Sequence, residues 1–112
     1  MSFEIGDSYI VEPGLSLAGS QILPVKHALH VAFPNPFNPA VKIPFEIGKQ
    51  ESVSLTVFDL NGKKVESLIQ NRMMQAGRYQ IEWDAGQYAS GMYLYSIEAG
   101  EFRQTKKMVL LK

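Results

Sequence analysis

The feature that most restricts the fold is an alternation of apolar and polar residues, repeated along the chain. Val41, Ile43, Phe45 and Ile47 alternate with Lys42, Pro44 and Glu46. Val53, Leu55 and Val57 alternate with Ser54 and Thr56, and Tyr79, Ile81 and Trp83 alternate with Gln80, Glu82 and Asp84. Leu29, Val31 and Phe33 alternate in the same way with His30 and Ala32. Successive side chains on a strand point to opposite faces, so each apolar set is expected to line one buried face. Helical spacing is nowhere sustained over three turns, so the pattern calls for strands.

Turn residues punctuate the alternating stretches. Asn61-Gly62 lies between two of them, and Asn-Gly predicts a type I′ hairpin because both residues tolerate positive φ. Ala99-Gly100-Glu101 predicts a second hairpin, and Gly77, Gly86 and Ser90-Gly91 mark further turns. The predicted strands are 28–33, 40–47, 52–59, 63–69, 78–84, 92–99 and 102–111. About seven short strands with evenly spaced turns and no helix predict an all-β fold, an immunoglobulin-like antiparallel β-sandwich. A small closed barrel is the alternative. Met92 and Leu94 beside Tyr93 and Tyr95, and Met108 and Leu110 beside Val109 and Leu111, put apolar groups on both faces of the last strands. That fits central strands, or an outer face covered by another segment. Residues 1–27 read as a linker or the tail of a preceding domain, with Ser8–Val11 and Leu15–Leu17 as short strands able to add to a sheet edge. Residues 28–112 are the sandwich domain.

Between the first two sandwich strands stands Pro34-Asn35-Pro36-Phe37-Asn38-Pro39. Residues before proline are biased toward extended conformations, and asparagine side chains can bond nearby backbone. The stretch is expected to form a stiff corner, with Phe37 plugging one end of the core.

Composition bounds the function. With 112 residues the chain supports one small core. Lys plus Arg number 11 and balance 11 Asp plus Glu, so no general attraction to nucleic acid or acidic lipid is expected. The absence of cysteine excludes disulfides and thiolate metal sites. No apolar run approaches the length of a membrane span. The first residues, Met1-Ser2-Phe3-Glu4-Ile5-Gly6-Asp7, do not read as a signal peptide. Either the chain is intracellular or it is a piece of a longer one.

Candidate chemistry is sparse. His27 and His30 would point to opposite strand faces with no third ligand nearby, so no metal site is expected. Asp59, Asn61 and Glu66 lack the spacing of a calcium loop and fit hairpin chemistry. Ser90-Gly91 lacks a nucleophile elbow. Glu82 and Asp84 share one outer face, which fits a solvated surface better than a glycosidase pair. No catalytic residue, cofactor or metal is therefore assigned, and the chain is not expected to be an enzyme. Tyr79, Trp83, Tyr93 and Tyr95 are expected in the core, leaving Tyr88 as a surface aromatic for a sugar. Met73 and Met74 are expected in a loop, either touching a partner or tucked over the core. Residues 102–112 hold basic and no acidic residues, which fits a recognition patch or a final strand with a charged outer face.

Three pieces combine into a resemblance: Phe33-Pro34-Asn35-Pro36-Phe37-Asn38-Pro39, then Val57-Phe58-Asp59-Leu60-Asn61-Gly62-Lys63-Lys64-Val65, then Ala89–Gly100 followed by Lys106–Lys112. In this order they resemble the C-terminal sorting domains of type IX (Por) secretion, type A, and the related immunoglobulin-like domain of flagellar hook-capping proteins. The resemblance covers about residues 29–112. It implies a non-catalytic address on a larger exported protein, secreted or held at the cell surface. It implies as partners the secretion machinery or a surface sortase that removes the domain, and an N-terminal cargo domain of the same chain. Cleavage would fall near residues 18–28. The recognition residues it implies are Pro34, Asn35, Pro36, Phe37, Gly91, Tyr93, Lys107, Val109 and Lys112. Two other roles compete with it: a structural or assembly module like the hook-cap relatives, and a carbohydrate-binding module of a secreted enzyme. An edge strand or residues 1–27 offer a route to a weak dimer.

Overall fold

The computed structural model describes residues 26–112 in full and, before them, the backbone of residues 3–5 and 9–11. The expected strand at Leu15–Leu17 lies outside the described residues. The elements are β1 (Phe3–Ile5), β2 (Tyr9–Val11), β3 (Ala28–Leu29), β4 (Ala40–Ile47), β5 (Glu51–Phe58), β6 (Lys64–Met74), β7 (Gly77–Asp84), β8 (Gly91–Ala99) and β9 (Phe102–Leu110). No helix occurs among the described residues. One sheet runs β1-β2-β7-β4-β3 and the other β6-β5-β8-β9, with neighbouring strands antiparallel throughout. The chain is thus an all-β antiparallel sandwich, the layering expected of an immunoglobulin-like domain.

The alternation does what the pleat requires. Val41, Ile43, Phe45 and Ile47 of β4 and Tyr79, Ile81 and Trp83 of β7 share one core with Val53, Leu55 and Val57 of β5 and Tyr93, Tyr95 and Ile97 of β8. No polar or charged residue is fully buried among those described. β8 is central and β9 is an edge strand. Met108 and Leu110 of β9 are buried, while Val109 between them is half-buried on the outer face.

Four local expectations need correction. First, residues 28–33 do not form one continuous strand. Leu29 pairs with Phe45, but Phe33 bridges Lys42. The register slips by one residue between these pairs, and such a slip exchanges the faces. Ala32 is therefore buried at 1% exposure, while Val31 (63%) and Phe33 (45%) face out.

Second, β6 extends well past Ile69. Its pairing with β5 shifts register at three places, and Asn71 adopts a left-handed backbone with φ of 47°. Bulges of this kind break the two-residue period that marks a strand in sequence. Met73 and Met74 consequently lie on a strand and not in a loop: Met74 is in the core and Met73 is exposed.

Third, the Asn61-Gly62 turn is not type I′. Gly62 is left-handed (φ 83°) but Asn61 is not. The Gly62 amide donates to the Asp59 carbonyl at 3.0 Å, and the Asp59 carboxylate accepts from the amides of Asn61 (2.9 Å) and Lys63 (3.0 Å). This is the pattern of a type I turn closed by a glycine bulge, with Asp59 at its first position. The second hairpin forms where expected and is tight, with Ala99 opposite Phe102 around Gly100-Glu101.

Fourth, Tyr88 is not a surface aromatic. It is half-buried and packs against the core, because Trp83 of β7 and Glu66 of β6 reach it in the turn before β8.

Candidate functional site

The first and last of the sequence pieces meet at one end of the sandwich. The chain leaves the Phe33 bridge, turns through the proline-rich corner, and lays Phe37 in a parallel bridge beside Leu110 of β9. The X-Pro bonds before Pro34, Pro36 and Pro39 are all cis. The Phe37 amide donates to the Val109 carbonyl (2.8 Å), and the Leu111 amide donates to the Phe37 carbonyl (3.0 Å). The Val109 amide donates to Asn35 Oδ1 at 2.9 Å. The Asn35 side chain thus takes the place of a strand's carbonyl at the edge of β9.

Phe37 itself is buried at 1% exposure. Its ring lies 6.0 Å from that of Trp83, the hub of an aromatic cluster. Tyr88 and Tyr93 also contact Trp83, at 5.5 and 5.7 Å, the latter edge-on, a geometry that suits ring quadrupoles. The polar atoms of the cluster are all partnered. Trp83 Nε1 donates to Glu66 Oε1 at 3.0 Å, Tyr88 OH donates to the same oxygen at 3.2 Å, and Tyr93 OH donates to the Ala89 carbonyl at 2.6 Å. Burial raises the Tyr88 phenol above its ordinary pKa, and the Glu66 carboxylate beside it adds to the effect.

The basic end of the chain closes the same region. The Lys112 amide donates to Ser90 Oγ at 2.9 Å, and its ammonium donates to the carbonyls of Gly86 (2.6 Å) and Tyr88 (3.0 Å). Gly91 opens β8 opposite Leu110, with φ of 155°. A Cβ there would meet nothing within 4 Å, so the glycine answers a backbone demand and not a crowded neighbour. Lys107 is exposed on the outer face of β9 opposite Leu94, and Val109 lies opposite Met92.

The recognition residues implied by the sequence thus separate. Phe37 and Tyr93 are inside the fold. Asn35, Gly91 and Lys112 shape this end of the sandwich. Pro34, Pro36 and Lys107 are exposed, and Val109 is half-exposed. Glu66 and Ser90 tie the region together, a role the sequence did not assign them, because the groups they bind lie 17 to 22 residues away along the chain. No group of His, Cys, Asp or Glu suited to a metal occurs among the described residues.

Residues 31–111 match the family described as the secretion system C-terminal sorting domain. No curated protein matches the chain.

Proposed function

Because the chain belongs to the family of type IX secretion system C-terminal sorting domains, we propose that the end of the sandwich around Lys107 and Val109 is the surface its secretion machinery reads. A sorting signal acts by being bound, so its informative residues are those a partner can touch in the folded domain. Lys107 and Val109, with Pro34 and Pro36 at the adjoining corner, meet that condition. Phe37 and Tyr93 contribute by holding the corner and the start of β8 in place. The larger exported chain that carries the domain is released when a surface sortase cuts near residues 18–28, of which 18–25 lie outside the described residues. Residues 1–27 act as the linker to the cargo, and 28–112 as the detachable address.

The observation that carries this reading is the hydrogen-bonded junction of residues 35–37 with 109–111. It brings sequence pieces from opposite ends of the domain to one end of the molecule. The test is a reporter fused to the full chain and expressed in a bacterium with type IX secretion. Export of the fusion is expected, with mass spectrometry locating the cut. Lys107→Glu and Val109→Asp are expected to hold the fusion in the periplasm while the domain's melting temperature stays near that of the parent. A folded parent fusion that stays in the periplasm defeats the sorting reading. Unimpaired export of both folded variants defeats the assignment of the surface.

A further inference from the structure

On the outer face of the β6-β5-β8-β9 sheet lies a trough of about 260 Å³. We propose that it binds a neutral oligosaccharide, independently of the sorting role. Its floor is formed by Ser54 and Thr56 of β5 and by Ser96 of β8, which lies opposite Thr56. Its wall is the part of β6 where the pairing register shifts, presenting Ser67, Gln70 and Asn71. Bulges bend the strand that carries them. Asn71 is fixed at the bend: its amide donates to Ser54 Oγ at 3.0 Å, and its Oδ1 accepts from the same hydroxyl at 3.2 Å.

The chemistry of the lining selects the ligand class. Hydroxyls both donate and accept, and a side-chain amide presents donor and acceptor in one plane. The hydroxyls of a sugar ring match such groups. Thr56, Ser67 and Gln70 have no side-chain hydrogen bond to another described residue, so their groups are available to a ligand. Phe58 is half-buried and is the only apolar side chain in the described lining. It pairs with Lys64 on one side and Leu94 on the other, and its ring offers a face on which a sugar can stack.

Other ligand classes fit less well. One lysine, Lys64, and one carboxylate, Glu98, stand in the lining, so the trough has no charge excess to hold a phosphate backbone. A peptide docks through apolar anchors in pockets, and the lining offers no apolar side chain beyond Phe58.

The experiment is affinity electrophoresis of the full chain through gels holding soluble neutral polysaccharides: β-glucan, xyloglucan, xylan and galactomannan. A gel with a sulfated polysaccharide serves as the charge control. Calorimetry with oligosaccharides of the retarding polymer then gives the affinity. Retardation by at least one neutral polymer is expected. Thr56→Arg, which fills the trough from an outward position, should abolish it, and Phe58→Ala should weaken binding about tenfold through loss of one ring contact. Circular dichroism checks that each variant is folded, and Ser96→Arg offers a second block should Thr56→Arg fail to fold. The proposal is overturned by no retardation in any neutral gel, or by retardation in the sulfated gel alone. It is equally overturned by undiminished binding in a folded blocked variant, or by loss of binding in Tyr88→Ala with the blocked variants unaffected.

Discussion

Replacing Phe37 by alanine separates the two parts that the proline-rich corner plays. The corner is joined to β9 through the Phe37 amide and carbonyl, and alanine keeps both. What it removes is a ring that is 1% exposed and packs on Trp83 at 6.0 Å. Truncating a buried Phe to Ala costs roughly 3–5 kcal/mol, the lost transfer energy plus the cavity left behind. A domain of this size has a total stability of about 5–15 kcal/mol, so the loss is a large fraction of the whole. At about 4–8 °C per kcal/mol, the melting temperature should fall by well over ten degrees. Phe37→Leu refills most of the space and should lose about 1.5 kcal/mol or less. Urea denaturation followed by Trp83 fluorescence gives the free energies, and calorimetry gives the melting temperatures. Asn35→Ala is the internal contrast. It removes one exposed hydrogen bond, which water can replace, and should cost only about 0.5–1.5 kcal/mol. If Phe37→Ala melts within error of the parent, or costs no more than Asn35→Ala, Phe37 is not a core residue and the plug argument fails.

Three further outcomes are expected. Met74→Ala should cost about 2–5 kcal/mol as a core truncation, while Met73→Ala next to it should stay within about 0.5 kcal/mol of the parent; equal effects in urea denaturation would place the end of β6 wrongly. Tyr95→Phe should cost about 1–3 kcal/mol, because the hydroxyl accepts from the buried Ala32 amide and donates to the His30 carbonyl, both at 2.8 Å. Faster exchange of the Ala32 amide by NMR is the companion readout, and unchanged protection there would contradict the bond. Tyr88 and Tyr95 both have phenols raised above the ordinary value, first by burial. The unfolded chain then loses these protons at lower pH than the folded one. The stabilisation is present below the ordinary tyrosine pKa of about 10 and is lost as pH rises through the folded values. Urea midpoints measured upward from pH 8 should decline in that range, and Glu66→Gln should lessen the part due to Tyr88. A flat profile through pH 11 would count against both assignments.

The layers of the sandwich were legible because burial alternates without interruption along β4, β5 and β7, so period two survives in the sequence. Legibility failed where register changes. Between Leu29 and Phe33 a one-residue slip brings Ala32 inward, and the pattern Leu29-Val31-Phe33 alone points to the opposite face. Along β6 the bulges interrupt the alternation at Gln70-Asn71-Arg72, so the strand looks finished while Met74 still lies ahead in the core. Asn-Gly suggested a turn in the right place, but Asp59 competes for the first position by capturing two backbone amides. The junction at the candidate site was hidden for a different reason. Asn35 and Val109 lie far apart along the chain, and no local property of either residue announces the other. Nor does anything near Tyr88 in sequence reveal that Glu66 accepts its hydrogen bond.

The basic end of the chain shows why a shared motif must be divided residue by residue before it is read as an address. In sequence, Lys106, Lys107 and Lys112 look equivalent. In the fold, Lys106 is half-buried at an inward position of the edge strand, where a charge discourages pairing with another sheet. Lys112 reaches back to the Gly86 and Tyr88 carbonyls and holds the 86–90 turn against the chain end. Reversing its charge would place a carboxylate against two carbonyl oxygens, so any loss of export would be confounded with local unfolding. Lys107 has neither role. It stands exposed on the outer face, with Leu94 opposite. Charge reversal there changes what a partner meets and little of what the domain needs to fold. A fall in export from Lys107→Glu at unchanged stability therefore bears on recognition alone, and the same fall from Lys112→Glu does not.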